Sequence, residues 1–285
     1  SQWFFSRGFA DPTRSEGVDQ WTPKANVAIF IKQRQDRKQT KRFLKPIQRS
    51  DKLIHALELP VILNVNPRSL YNKADQFKVF IKEKNVQLIT VSESWQREDI
   101  SIEDLIGEEN FTVVSNPYQR KGRGGRPLII ADHTKYIVDK PDIPCPWGVE
   151  MVWCILSPKY ATAMSKIQKI VVGSFYSKPN SKSKRKLLDH ISEVYHLMHS
   201  RFKTGLYFIF GADCNDLKLD DILNLSPHLK QVVDKPTHND KILDPIITDL
   251  HTYYQSPIIE KPLEADSDSD SASDHKIVGA IKHSW

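Results

Sequence analysis

Residues 61–93 read VILNVNPRSLYNKADQFKVFIKEKNVQLITVSE, and this stretch decides the fold class. It opens on an apolar run, Val61-Ile62-Leu63-Asn64-Val65, and closes on a second, Val86 to Val91. Each has the length and branched-chain content of a buried strand. Between them Leu70, Ala74, Phe77 and Ile81 recur at i, i+4, i+7 and i+11, one face of a helix that Asn85 is suited to end. Strand, helix, strand in about thirty residues is a βαβ unit, whose strands lie parallel and buried. Polar residues stand where the apolar runs stop: Asn64 and Asn66 after the first, Glu93 after the second.

Further strand candidates follow at 111–114, 127–130, 149–156 and 167–176. A second amphipathic helix runs from about Ser183 to Phe202, with Leu187, Ile191, Val194, Tyr195, Met198 and Phe202 turned inward. The buried run Leu206–Phe210 then delivers Gly211-Ala212-Asp213-Cys214-Asn215, and runs at 242–248 and 276–281 complete the strands. No repeat is visible residue by residue. The order of elements nonetheless implies two similar halves packed sheet on sheet with helices outside, an α/β four-layer sandwich of two mixed β-sheets. This domain is expected over residues 60–285.

Residues 1–59 are expected to be a basic N-terminal extension. They hold 12 Lys/Arg against 6 Asp/Glu, while the rest of the chain balances at 29 of each, so the net charge of +6 is all in this first fifth. Such localised charge suits a polyanion partner or a solvated tail, and the two are compatible. The stretch KQRQDRKQTKRFLKPIQRSDK (32–52) reads equally as a basic helix or a disordered linker.

With 39% hydrophobic and 27% charged residues the composition is that of a soluble globular protein, and no apolar run is long enough to span a bilayer. Ser1-Gln2-Trp3-Phe4-Phe5 has no apolar segment of a secretory signal, and without an initiator Met the chain is expected to be a fragment or a cut-out piece. Three cysteines, Cys145, Cys154 and Cys214, without C-x-x-C spacing point to free structural thiols and an intracellular compartment.

In an α/β sheet, polar residues at strand ends gather at one rim. Here they are Asn64, Asn66, Glu93, Asp213, Asn215, Asp244 and the pair Asp274-His275. A rim of Asp, Glu and Asn without cysteine suits a hard cation, Mg²⁺ or Mn²⁺, which neutralises charge developing on a phosphoryl group. Any one of these residues alone reads as a cap or a turn, and the ordered set carries the argument. The loop QRKGRGGR (119–126) and the helix start SKSKRK (181–186) offer phosphate contacts through Arg120, Lys121, Arg123, Arg126, Lys184 and Arg185, or are simply solvated surface. Tyr71, Trp95 and Trp147 suit core packing better than base stacking. His190, His196 and His199 read as surface histidines, and Glu150 has no assigned role. An acidic run, Asp266 to Asp270, precedes Ser273-Asp274-His275 and is expected to repel phosphate unless a metal or the basic loops offset it.

Taken together, LNVN (63–66), VSESW (91–95), GADCN (211–215) and SDH (273–275) resemble the endonuclease/exonuclease/phosphatase family, DNase I-like in fold. The stretches NPRSLYNK (66–73), FYSKPN (175–180) and PTHNDKILDPIIT (236–248) are most similar to the apurinic-type endonuclease domains of non-LTR retrotransposons. The likeness covers about residues 60–285. It implies Glu93 as principal metal ligand with Asn64 helping and Asp274 beside the ion. It implies Asp213 as the residue that orients or deprotonates the attacking water, and Asn215 as a phosphate holder. His275 would bond the scissile phosphate with its tautomer fixed by Asp244, Tyr176 would contact phosphate or leaving group, and Arg68 would touch the nucleic acid. It further implies a DNA substrate, a Mg²⁺ cofactor, a nuclear setting and a longer polyprotein with a reverse transcriptase.

Three positions depart from the family pattern. Ala212 stands where glycine is usual, and would be strained if that position needs positive φ. His238 replaces an arginine, and Pro245 directly follows Asp244. None removes a catalytic group. A DNA endonuclease that nicks one strand is the leading expectation. The same fold also serves phosphomonoesters, phosphoinositides or RNA, and a decayed, non-catalytic nucleic-acid-binding module is the rival from another class.

Overall fold

A computed structural model of the chain describes residues 59–95, 101–106, 110–116, 125–160, 166–180, 182–264 and 273–283. The expectations for residues 1–58, for Arg120, Lys121 and Arg123, and for the acidic run Asp266–Asp270 lie outside them. In chain order the strands are β1 (Ile62–Val65), β2 (Leu88–Val91), β3 (Phe111–Ser115), β4 (Leu128–Asp132), β5 (Tyr136–Asp139) and β6 (Glu150–Pro158). They continue as β7 (Lys169–Tyr176), β8 (Leu206–Asp213), β9 (Lys230–Gln231), β10 (Ile246–Thr248), β11 (Ile258–Glu260) and β12 (Ile277–Ala280). The helices are α1 (Ala74–Glu83), α2 (Ile102–Ile106), α3 (Lys184–Arg201) and α4 (Leu219–Leu223).

The strands form two six-stranded mixed sheets, β11-β12-β1-β2-β4-β3 and β5-β6-β7-β8-β10-β9. Each sheet has one parallel pair at its centre. β1 and β2 pair in parallel with α1 as the crossover, and β7 and β8 do so with α3. Every other pairing is antiparallel. The two halves anticipated from element order are therefore present.

Alternation along the strands sorts the apolar side chains into three cores. Ile62, Leu88, Val172, Ile209, Ile246 and Val278 face inward and fill the space between the sheets. Their neighbours Leu63, Val65, Ile89 and Val91 pack under Phe77 and Ile81 of α1. Met151, Trp153, Val171, Phe208 and Phe210 pack under Leu187, Ile191, Val194 and Met198 of α3. Helix, sheet, sheet, helix is the expected four-layer sandwich. No described helix is long and apolar enough to cross a membrane.

Sequence reading missed β5, β9 and β11. These are strands of two to four residues, mostly half-exposed, that exist because a longer neighbour offers a ladder. It also stopped β8 at Phe210, whereas the strand continues through Asp213.

Three expectations are corrected. His190 is 4% exposed and not a surface residue. Trp153 Nε1–H donates to His190 Nε2 at 3.1 Å, and burial pushes this imidazole down to about 4. The inward stripe of α3 is one residue wider than the large apolar side chains alone suggest. Trp147 is 70% exposed and takes no part in the core. Ala212 has no positive φ; it is an ordinary strand residue whose methyl joins the core beneath α3. The thiols of Cys145, Cys154 and Cys214 are free, as expected.

The glycine this region does need is Gly211. A Cβ there would overlap Thr90 and lie 2.9 Å from Asn64 Oδ1, because side chains of the facing sheet pack directly on this backbone. Gly211→Ala is expected to destabilise the fold by about 1–3 kcal/mol through overpacking. Ala212→Gly should cost less, about 1 kcal/mol. Denaturant midpoints of both variants check the order.

Candidate active site

The parity that turns Ile62 inward also turns Asn64 and Asn66 inward, and the same holds for Leu88 with Thr90, Val172 with Ser174 and Tyr176, and Ile209 with Gly211 and Asp213. The C-terminal ends of the four central strands thus line one end of the inter-sheet space with polar groups. Part of this lining is a bolt between the sheets. Asn64 Nδ2 donates to Ala212 O at 2.9 Å and to Pro245 O at 3.3 Å, while its Oδ1 accepts from Thr90 Oγ1 at 2.9 Å. Ser174 Oγ donates across to Val91 O at 3.0 Å.

One step further out, Asn66 joins the two carboxylates. Its Nδ2 donates to Asp213 Oδ2 at 2.8 Å and to Glu93 Oε1 at 3.2 Å. Trp95 Nε1–H donates to Glu93 Oε2 at 2.9 Å, and the Asn215 N–H to Asp213 Oδ1 at 3.1 Å. The Asn215 side chain donates to Ser177 O, tying the end of β8 to that of β7. Asn66 is itself held by the turn that follows it. Arg68 N–H donates to Asn66 Oδ1, and Ser69 N–H and Leu70 N–H reach Glu93 O and Ser94 O. Arg68 and Ser69 both have positive φ, and the fully buried Lys73 brings its ammonium 3.5 and 3.4 Å from their carbonyls. The strain of that turn is offset by these bonds.

Across the rim, His275 Nδ1 lies 2.9 and 3.0 Å from the two oxygens of Asp244. Asp244 is fully buried and accepts from Thr237 Oγ1 at 2.7 Å; that oxygen in turn accepts the Leu243 and Asp244 N–H groups. A carboxylate on Nδ1 keeps the proton there and leaves Nε2 turned to the rim. Burial opposes the imidazolium. Asp244, with Asp213 and Asp274, outweighs it and lifts His275 to about 9. Burial, then the nearby Asp244 and Glu93, push Asp213 up to about 7, with His275 offsetting part of that rise. Tyr176, hydrogen-bonded to Glu93, is pushed well up by burial and by the carboxylates around it. Three buried carboxylates thus face one imidazole. This hard-oxygen, charge-excess donor set fits a Mg²⁺- or Mn²⁺-type cation.

The sequence-derived residues are not all brought together. Glu93, Asp213, Asn215, Asp244, His275 and Tyr176 converge. Asn64 lies deeper, with its polar atoms engaged by the bolt, and Asn66 occupies the junction instead. The Asn-x-Asn spacing carried that signal, since residues two apart share a strand face. Asp274 is 56% exposed and turned to His238 Nε2 (2.9 Å) and Arg68 Nη1 (3.5 Å). Lys184 pairs with Asp216, whose carboxylate also accepts from Asn180 N–H, and Arg185 pairs with Asp189 along the exposed side of α3. Arg126 has positive φ, and its N–H donates to Glu150 Oε2 at 3.0 Å. Glu150 therefore clamps the base of the basic loop. Gly125, also at positive φ, has no room for a Cβ beside this carboxylate. Burial raises the Glu150 carboxyl, the Arg126 N–H holds it back, and nearby Glu93 raises it further.

The sandwich is that of the DNase I-like endonuclease/exonuclease/phosphatase domains. The chain is similar to the endonuclease domain of TRAS1, a telomere-specific non-LTR retrotransposon, at a TM-score of 0.55 and 14% identity over 79% of this chain and 98% of that one. It is similar to an endonuclease/exonuclease/phosphatase from Bacteroides vulgatus at 0.55 and 13%, over 78% and 97%. It is also similar to the 3′ phosphatase NExo from Neisseria, bound to a product DNA hairpin, at 0.54 and 12%, over 80% and 100%. No protein-family model matches the chain, and no curated protein sequence matches it significantly.

The His275–Asp244 pair has a direct test. In metal-free protein the His275 ring should titrate near pH 9 by NMR, and in Asp244→Asn it should fall well below that, because only Asp213 and Asp274 then oppose burial. A histidine raised on folding stabilises the fold fully below pH 6.5 and loses that contribution as pH rises through 9. The wild type should therefore lose at most about 3 kcal/mol over this window, and Asp244→Asn should lose less.

Proposed function

We propose that the chain is a divalent-cation-dependent phosphodiesterase that nicks one strand of DNA. The observation that supports this most is the placement of Asn66, which joins Glu93 to Asp213 on the same rim as the His275–Asp244 dyad. Glu93 would hold the cation, steadied by Asn66 and Trp95, and the cation would neutralise charge on the phosphate. Asn64 then has a scaffolding role rather than a ligand's. Asp213, partly protonated near neutral pH and fixed by two hydrogen bonds, is suited to orient an attacking water and accept its proton. His275 presents a positively charged Nε2–H, a charge-assisted donor for a non-bridging oxygen. Asn215 and the Tyr176 hydroxyl add donors on the opposite side, and Arg68 and the basic loop are assigned to the DNA backbone. The TRAS1 domain is described as a retrotransposon endonuclease, and the Neisseria enzyme is held with DNA. Both favour DNA over a small phosphoester, and a nuclear, polyprotein-borne setting belongs to the same reading.

The test is nicking of supercoiled plasmid with Mg²⁺. Wild type should produce open circles, and Glu93→Ala and His275→Ala should each lose at least about a hundredfold in rate, as expected for removal of a charge-stabilising group. Intact plasmid together with phosphate release from small phosphoesters would move the reading to a phosphatase. Salt-sensitive DNA binding without cleavage would make the chain a binding module.

A further inference from the structure

His238, Asp274 and His275 lie together at the rim in an arrangement that the phosphodiester reaction does not need. His238 Nε2 is 2.9 Å from one Asp274 oxygen, and His275 Nε2 is 3.9 Å from the other. The two imidazole rings are 4.7 Å apart, and one donor atom from each of the three residues falls within 4.8 Å of the others. We propose that these residues form a second metal site, distinct from Glu93, that takes a borderline-soft cation such as Zn²⁺ and removes His275 from the reaction while it is bound.

Four features carry this. Two imidazoles and a carboxylate are the donor set of three-ligand zinc centres, whereas Mg²⁺ prefers oxygen throughout. His275 already has the outer partner that ligating histidines usually have, since its Nδ1–H donates to Asp244. Both Nε2 atoms lie toward Asp274, at 2.9 Å for His238 and 3.9 Å for His275. The site opens to solvent through Asp274, so a hydrated ion can enter. By contrast the neighbouring group Asp213, Asp244 and His275 consists of buried residues throughout. Finally, the competing cation is weakly held, since Arg68 meets Asp274 at 3.5 Å with both side chains largely exposed, an ion pair of small net value.

Binding forms bonds from Zn²⁺ to both Nε2 atoms and to one Asp274 oxygen, with water completing the shell. The His275 Nε2 proton leaves to solvent, the His238 proton moves from Nε2 to Nδ1 with loss of the contact to Asn239, and the donor intended for the phosphate is lost. His238 stands where the resembled family has arginine, so the capability belongs to this chain's own departure from that pattern.

Co²⁺, which reports its ligands by visible absorption, is titrated into Mg²⁺-free protein, followed by Zn²⁺ displacement. The expected result is one equivalent with the d–d bands of a nitrogen-containing four-coordinate centre, displaced by Zn²⁺. His238→Gln and Asp274→Asn should each weaken it at least about tenfold, Asp244→Asn by about ten- to a hundredfold, and Glu93→Gln not at all. Absence of the bands, or bands lost in Glu93→Gln but kept in His238→Gln, overturns the site. In a second arm Zn²⁺ should inhibit Mg²⁺-supported nicking, with the inhibiting concentration at least about tenfold higher in His238→Gln. This arm rests on the phosphodiesterase reading and the binding arm does not. Cobalt binding without any nicking leaves the metal site standing and sinks that reading, whereas equal inhibition of both proteins sinks the inhibitory role.

Discussion

The two sheets touch where Gly211 leaves room for Thr90 and Asn64, and this close approach sets everything at the rim. The Asn64 amide crosses the gap to the Ala212 and Pro245 carbonyls, and Ser174 crosses it the other way to Val91. Buried polar groups of this kind are tolerated only when fully paired, so the bonds fix the sliding register of one sheet on the other. Moving out by two residues along each strand then brings Asn66 against Asp213 and Glu93. The junction is accurate because it stands on strands on one side and on a turn pinned by Lys73 on the other.

The rim that results is electrostatically unbalanced. Glu93, Asp213 and Asp244 are buried close together with His275 as the partner cation, and the imbalance is expressed in the raised Asp213 carboxyl and the raised His275 imidazole. Near neutral pH these shifts leave a carboxyl that exchanges a proton and an imidazole that stays charged. The donors at the rim are of two kinds. Hard oxygen donors lie on the Glu93 side, and imidazole nitrogens lie on the His238 side.

The four-layer architecture was legible because alternation and helical periodicity are local. The βαβ unit at 61–93, the helix over 183–202 and the sheet-on-sheet arrangement all follow from them. Short edge strands such as β5 and β11 were not legible, since a neighbour's ladder and not their own composition makes them strands. Nor was the burial of His190, which depends on Trp153 from another element. Ala212 looked like a defect beside the family pattern. In the fold, positive φ falls at Arg68, Ser69 and Asn215, and the obligatory glycine is one residue earlier.

What the sequence offered by itself was an inventory of candidates: carboxylates, amides and imidazoles flanking several of the apolar runs, in an order that random polar caps would not produce. Tertiary structure alone decided which of them meet. Asn64 and Asn66 are indistinguishable by composition and share a strand face, and only the closeness of the second sheet turns the first into a bolt and the second into the link between Glu93 and Asp213. His238 was an unexplained substitution in the linear chain. It gains chemical meaning only from lying 4.7 Å from His275, a contact between segments 37 residues apart that no local pattern encodes.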